Sequence, residues 1–194
     1  MKNSVKNAFI FGVGFLACVL LTFIVPLLVM ALGLMDMSAS AKPGLLEKIF
    51  APWAFTNSME RRAPDARNPF ANDPSALTSG LAHYRENCVL CHGAPNVEPA
   101  ELAVGLNPPV PKLHTDDAQS LSDGKLFWII KNGIRMTGMP AFGETHSDKE
   151  IWHIVTFVRH LPKITDAERE TLKPSASDTE HHHEGKDINP EIVK

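Results

Sequence analysis

An uncharged run of 28 residues, from Ala8 to Met35, constrains the fold of this chain more than any other feature. As an α-helix rising about 1.5 Å per residue, the run is longer than the roughly 30 Å hydrocarbon core of a bilayer. Inside a bilayer, backbone polar groups must be satisfied within the segment itself, and a helix does this. The run therefore predicts one membrane-spanning helix, and we assign residues 1–35 to a transmembrane anchor.

A cleaved signal peptide is the alternative interpretation of the same region. The triplet 39–41, Ala-Ser-Ala, has the small residues of a cleavage site. The hydrophobic part of a signal peptide is usually about 7–15 residues, however, and this run is about twice that length, which favours an uncleaved anchor. Charge does not orient the helix, because similar numbers of lysines precede and follow it: Lys2 and Lys6 before, Lys42 and Lys48 after.

The composition of the whole chain is that of an ordinary globular protein, with 44% hydrophobic and 21% charged residues. The balance of 22 acidic against 19 basic residues, without any Lys/Arg-rich run, predicts no nucleic-acid partner. Three cysteines are too few for a disulfide scaffold. The chain is therefore neither a disordered polymer nor a disulfide-rich secreted module.

Residues 36–74 are punctuated by prolines and show no sustained helical or alternating period. We predict that this segment is a tether rather than a folded element. A short apolar patch at residues 45–50, followed by Trp53 and Phe55, interrupts it. Trp53 is either an anchor at the lipid interface or a contact for a partner. The prolines are Pro43, Pro52, Pro64, Pro69 and Pro74.

The sequence Cys-Val-Leu-Cys-His at residues 88–92 is a signature of covalent haem attachment. Two thiols about one helical turn apart, Cys88 and Cys91, can add to the two vinyl groups on one edge of a porphyrin, while the following imidazole, His92, binds the iron. A thioredoxin-like pair would follow a strand, but here a helical pattern runs into the motif. A structural zinc site would need further ligands, and there is no second cysteine pair. The motif favours one covalent haem c.

A second iron ligand is predicted 47 residues further along the chain. Met139 is followed by Pro140 in a loop whose glycines would let the backbone approach a flat macrocycle closely. Met136 is a competing ligand of the same type. We favour Met139 because Pro140 stiffens the chain beside it. The glycines are Gly133, Gly138 and Gly143.

From about Pro74 to Pro162 the chain resembles the class I cytochrome c family. Gly80, Tyr84 and Cys88 fall at intervals of four, which matches the family's pattern on its first helix. Residues four apart share one helix face, so Gly80 would allow another helix to come close. The resemblance implies an all-α fold in which the first and last helices of a small domain, residues 75–165, cross beside one covalent haem.

A last helix is predicted at residues 149–160, with an apolar stripe on one face. Ser147 and Glu150 have the spacing of a capping box at its start. A middle helix at residues 121–131 would lead into the methionine loop.

Three further residues are candidates for the haem pocket. Pro111 and Leu113 are similar to the family's Pro-x-Leu, in which the proline carbonyl accepts a hydrogen bond from the proximal imidazole and the leucine packs on the haem. Pro109 is a close alternative to Pro111. Trp128, on the predicted middle helix, is a candidate for haem-pocket or core packing.

The resemblance also implies a function. A haem iron bound by His92 and Met139 has no open position, so we expect it to take no small-molecule substrate and to pass single electrons between a protein donor and a protein acceptor. Haem attachment of this kind implies that the domain lies on the periplasmic side of a bacterial inner membrane. The protein would be a tethered carrier or the haem subunit of an oxidoreductase complex. The alternative is a haem enzyme with an open or displaceable axial position.

Residues 75–170 carry nine basic and twelve acidic side chains, unlike a strongly cationic soluble electron shuttle. A tethered carrier needs less electrostatic steering, because its anchor raises the effective concentration. Residues 166–194 read as a polar, solvated tail. The histidines at 181–183 could bind a transition metal, although a solvated or partner-contacting tail is favoured.

Overall fold

The computed structural model describes residues 2–173, which form helices and contain no β-strand. The chain divides into two compact units, Met1–Lys42 and Pro43–Lys194. The predicted all-α fold is confirmed. The α-helices are α1 Lys2–Ala31, α2 Leu45–Arg62, α3 Pro74–Asn87, α4 Val89–His92, α5 Glu101–Val104, α6 Asp116–Gln119, α7 Asp123–Asn132, α8 Asp148–His160 and α9 Asp166–Thr171, with 3₁₀ turns at Phe142–Glu144 and Leu161–Lys163.

The first unit contains one long helix, α1, whose stretch Lys6–Ala31 is long and apolar enough to cross a bilayer. Its large apolar side chains are exposed on every side, as expected of a helix that lies in lipid rather than in a protein core. The helix ends before the uncharged run does. Gly33 takes φ +64°, and its N–H donates to the Met30 carbonyl, which is the glycine stop common at helix ends.

The core of the second unit is built where α3 crosses α8. A Cβ at Gly80 would overlap the backbone carbonyl of His153 and come within 2.9 Å of Phe157 Cβ. The prediction that Gly80 lets a second helix approach is therefore confirmed. Tyr84, one turn further on, is fully buried with its ring centroid 5.2 Å from that of Phe157. The two helices pack backbone to backbone at this point.

The start of α8 follows its predicted capping box. The Ser147 Oγ accepts a hydrogen bond from the Glu150 N–H, and the Glu150 carboxylate accepts one from the Ser147 N–H at 2.8 Å. The helix is buried almost all round from Ile151 to Val158, mostly through apolar side chains. On its flank Trp152 stacks on Phe127 of α7, with ring centroids 4.3 Å apart. These contacts attach α7 to the α3–α8 pair.

The sequence predicted no helix in residues 36–74. This prediction is wrong, because α2 occupies Leu45–Arg62. Pro52 lies inside this helix and removes one backbone donor. Packing offsets that loss: Met59 is buried, and Glu60 forms an ion pair with Lys125 of α7 at 2.5 Å. Most helices in proteins are stabilised by tertiary contacts. A sequence pattern that prolines interrupt does not reveal those contacts.

The stretch between α2 and α3 is also fastened to the second unit. Asn68 donates from its backbone N–H to Asp123 at 3.0 Å, and from its side-chain amide to the Trp152 carbonyl at 3.0 Å and the Thr156 hydroxyl at 2.8 Å. The Arg159 guanidinium donates to the same Asp123 carboxylate at 2.8 Å. Packing of the second unit thus extends into residues that the sequence analysis assigned to a tether.

The carboxyl end of the described chain packs more tightly than a solvated tail. Helix α9 begins with a capping box between Thr165 and Glu168, and the side chains of Ile164 and Leu172 on either side of it are buried in the core. Residues 166–173 are therefore folded and docked on the core through Ile164 and Leu172, although most of their other side chains are exposed. The histidines at 181–183 lie outside the described residues.

Acid sensitivity is expected from His153, which is buried at the α3–α8 crossing with neither ring nitrogen hydrogen-bonded within residues 2–173. Burial, followed by the charge of Lys149, lowers the pKa of His153; Asp73 and Glu150 act in the opposite direction, and His83 adds to the lowering. The unfolded chain therefore binds a proton at higher pH than the folded chain, so stability falls as pH drops through the usual histidine range.

The test is denaturant unfolding of the haem-loaded protein at about pH 7.5 and about pH 5.5. His153→Phe, which keeps an aromatic ring against Phe70, should show a smaller loss of unfolding free energy on acidification than the unmodified chain. An equal loss in both proteins would show that His153 does not control the acid sensitivity.

Candidate functional site

A cavity of about 270 Å³ in the second unit brings together all four side chains predicted to hold a haem. Cys88, Cys91, His92 and Met139 line it. Most of the remaining wall is apolar and comes from α2, α7 and α8, from the segment between α5 and α6 and from the chain that follows α7, including Phe55, Leu106, Pro109, Leu113, Leu126, Ile129, Ile130, Ile134, Phe142 and Val158. The cavity therefore places two thiols, one imidazole and one thioether in a largely apolar wall.

The cysteine motif is held as a tight turn at the end of α3. The Cys88 N–H donates to the Tyr84 carbonyl at 2.9 Å, and α4 begins at the next residue. The Tyr84 hydroxyl donates to the Gly93 carbonyl at 2.6 Å, so Tyr84 holds both ends of the motif, one through its backbone carbonyl and the other through its hydroxyl. Gly93 takes φ +57°, and a Cβ there would come 2.5 Å from the Val97 carbonyl oxygen. A residue with a side chain does not fit this turn.

The imidazole of His92 is oriented by a backbone carbonyl. Its Nδ1 lies 2.8 Å from the oxygen of Pro111, and Pro109, the alternative acceptor, does not make this bond. Burial lowers the pKa of His92, while the hydrogen bond to Pro111 acts in the opposite direction. A neutral ring that donates from Nδ1 keeps the lone pair on Nε2, the nitrogen left for a metal. Leu113 lines the same cavity.

The methionine loop is closed by its own hydrogen bonds. The Thr137 hydroxyl donates to the Ile134 carbonyl at 2.8 Å and accepts from the Met139 N–H at 3.1 Å, while the Ile134 N–H donates to the Met139 carbonyl at 3.2 Å. Gly133 takes φ +63°, and a Cβ there would come within 2.7 Å of the Met139 and Pro140 backbones. The loop therefore folds back on the end of α7 and turns Met139 inward.

Met136, the competing candidate, is placed differently. It is 84% exposed, does not line the cavity and takes φ +61°, an uncommon backbone conformation for a residue with a side chain. Met139 is partly buried against the core and lines the cavity. The geometry thus favours Met139 as the sulfur donor of this site.

The prediction for Trp128 needs a correction, since this residue is not part of the cavity wall. Successive helix residues turn by about 100°, so the face that presents Leu126, Ile129 and Ile130 to the cavity leaves Trp128 on another side of α7. The helical period of α7 could have identified these three residues. Phe55 was also missed, because it lies about 200° around the helix from Trp53 and so outside the apolar stripe of its segment.

The residues present fit a covalent haem c. The wall is apolar, as a porphyrin requires, and it carries two thiols, one imidazole and one thioether. Burial and the neighbouring Cys91 raise the pKa of the Cys88 thiol to about 12. A thioether is uncharged, so attachment through Cys88 places no charge in this buried position. Within residues 2–173, no group of three or more His, Cys, Asp and Glu side chains is arranged to hold a bare metal ion.

The helical fold and this set of two thiols, one imidazole and one thioether resemble those of a class I c-type cytochrome domain. Residues 75–158 match the family described as cytochrome c oxidase, cbb3-type, subunit III, so this part of the chain is a haem-based electron-transfer module. Among solved structures, the chain is similar to cytochrome cL from the marine methylotrophic bacterium Methylophaga aminisulfidivorans MPT. That similarity has 20% identity and a TM-score of 0.39, over 81% of this chain and 92% of the other. No curated protein matches the chain.

Proposed function

We propose that this protein is a membrane-anchored monohaem cytochrome c. It passes single electrons between a protein donor and a protein acceptor in a bacterial respiratory-type chain. The observation that carries this proposal is the convergence of Cys88, Cys91, His92 and Met139 on one largely apolar cavity. When bound there, haem c supplies reversible one-electron chemistry at its iron.

The chain's own residues hold and enclose the group. Cys88 and Cys91 would form the two thioether bonds to the haem, and the His92 imidazole and the Met139 thioether would bind its iron. Pro111 fixes the orientation of the His92 ring through the hydrogen bond at 2.8 Å, and Leu113 packs in the pocket. With His92 and Met139 both bound, the iron would have no position for a small-molecule substrate. The apolar wall limits the access of water, which helps to set the reduction potential.

The location of the protein follows from α1 and from the chemistry of attachment. The length of Lys6–Ala31 and its exposed apolar surface support a single membrane span. The resemblance to class I cytochromes c implies that attachment takes place on the outer face of the bacterial inner membrane. We therefore place the haem domain on the periplasmic side, where the anchor keeps it close to its partners.

Two forms of this function remain, a tethered carrier and a permanent haem subunit. The matched family is described as a subunit of an oxidase, which supports the second form. In either form the partners are redox proteins. Purification of the full chain in mild detergent distinguishes the two forms. A permanent subunit is recovered with other polypeptides, whereas a carrier is recovered alone.

The mass of the denatured protein tests the proposed cofactor. The full-length, haem-loaded chain should exceed its polypeptide mass by one haem after acid extraction of loosely bound pigment. The double variant Cys88→Ala/Cys91→Ala should lose this extra mass, whereas Cys18→Ala, which changes the cysteine outside the motif, should keep it. An unmodified chain that weighs no more than its amino acids would disprove the proposal.

A further inference from the structure

The first half of α2 carries an apolar face that the described residues leave uncovered. Its side chains recur with the spacing of one helix face, within an arc of about 140° at 100° per residue. We call these five residues the apolar face of α2. They are Leu45 (74% exposed), Leu46 (70%), Ile49 (55%), Phe50 (56%) and Trp53 (65%).

This face belongs to a helix that is fixed to the haem domain. Phe55, about 200° around the helix from Trp53, lines the haem cavity, and Met59 is buried one turn later. The ion pair between Glu60 and Lys125 joins the end of the helix to α7. One side of α2 therefore closes the cavity while another side presents large apolar residues outward.

We propose that the apolar face of α2 lies on the lipid bilayer, at the boundary between headgroups and acyl chains. The inference rests on the proposed membrane anchor. Thirteen residues, 32–44, separate the end of α1 from the start of α2, and such a chain spans at most about 45 Å. The face is therefore confined near the bilayer surface by its own chain.

The composition of the face is that of an interfacial helix. Such helices place Trp, Phe and Leu toward the acyl chains and keep lysines at the headgroups. Lys48 and Glu47 lie at the two edges of the face, Lys42 precedes the helix, and all three are exposed. The Trp53 indole combines a large apolar body with one N–H donor, which suits the interface.

Lipid is favoured over a protein occupant for two reasons. The five side chains include no charged group, and only the Trp53 N–H could set the register of a protein partner. The bilayer is also present at all times within the span of the 32–44 segment, whereas a partner or a second copy must first be encountered. Contact with lipid would hold the wall containing Phe55 at a fixed height and tilt above the membrane.

Spin labels on opposite sides of α2 test the contact. In a Cys18→Ser background, Ile49→Cys places a nitroxide in the apolar face, and Ala51→Cys places a matched label about 200° away on the same exposed turn. Both full-length, haem-loaded proteins are reconstituted in vesicles of phosphatidylcholine and phosphatidylglycerol. With lipid contact, the label at 49 should be more accessible to oxygen than to a water-soluble nickel chelate, and the label at 51 should show the reverse.

Three results would overturn the inference. Equal water exposure of the two labels would show that the face does not contact lipid. Broadening of the spectrum of the label at 49 that disappears on dilution with unlabelled protein would indicate that a second copy of the chain covers the face. Protection at 49 that occurs in native membranes but not in pure lipid would indicate a protein partner.

An alkaline carbonate wash of the same vesicles separates this inference from the proposed anchor. A protein that stays in the vesicles while both labels are in water would contradict only the lipid contact of α2. A protein that washes off would contradict the membrane anchor itself.

Discussion

Met139→Ala is expected to abolish the absorption band that arises from charge transfer between a thioether and ferric iron, and to lower the reduction potential. The shift should be on the order of 0.1 V or more, within the roughly 0.8 V range that axial ligands control. The reason is that a methionine sulfur favours the ferrous state. Absorbance spectra and a redox titration of the haem-loaded protein measure both effects.

Met136→Ala is the matched control, because Met136 lies three residues away and is 84% exposed. Both the band and the potential should be nearly unchanged in this variant. Loss of the band on changing Met136 alone would overturn the ligand assignment. A band missing from the unmodified protein would instead favour the alternative of a haem enzyme with an open or displaceable axial position.

Gly80→Ala should strongly destabilise the packing of α3 on α8. The added methyl group would overlap the His153 carbonyl, and both sides of this contact are helix backbone that cannot rotate away. Alanine favours a helix over glycine by up to about 1 kcal/mol. Overpacking costs about 1–3 kcal/mol, and more where the backbone must shift, so we expect a net loss of stability.

Gly105→Ala provides the control for this change, since its Cβ would meet its nearest neighbour at an ordinary 3.7 Å. Guanidinium unfolding of the haem-loaded proteins compares the two variants. Gly105→Ala should unfold at nearly the same denaturant concentration as the unmodified chain and Gly80→Ala at a clearly lower one. Equal midpoints for both variants would show that α3 and α8 can separate at little cost.

The features that the sequence predicted are those set by short spacings. The four-residue interval between Gly80 and Tyr84 places both on the face that meets α8, and the three-residue interval between Ser147 and Glu150 starts that helix. The capping box required only helix geometry and residue chemistry, whereas the partner helix that meets Gly80 was implied by the resemblance to class I cytochromes c. The cysteine motif is equally local, because its five residues form one turn.

The features that the sequence did not reveal depend on contacts between residues distant in the chain. Phe55 reaches the cavity because the end of α2 packs on α7, and Asn68 is tied to Asp123, 55 residues away. Trp128 was misplaced because an aromatic residue on an apolar helix does not by itself indicate which side of the helix faces the cavity. The packing of Leu172 also depends on tertiary structure, since its neighbours in sequence are polar.

Because α2 and Asn68 pack on the second unit, only a short flexible connection limits how far the haem domain of the proposed carrier can move from its anchor. The sequence predicted a connection of 39 residues, 36–74, but in the structure only the 13 residues 32–44 lie between α1 and α2. For a random chain, end-to-end distance grows with the square root of length, so the volume that the haem domain explores is about fivefold smaller. Electrons would then be exchanged only with proteins that sit beside the anchor in the same membrane.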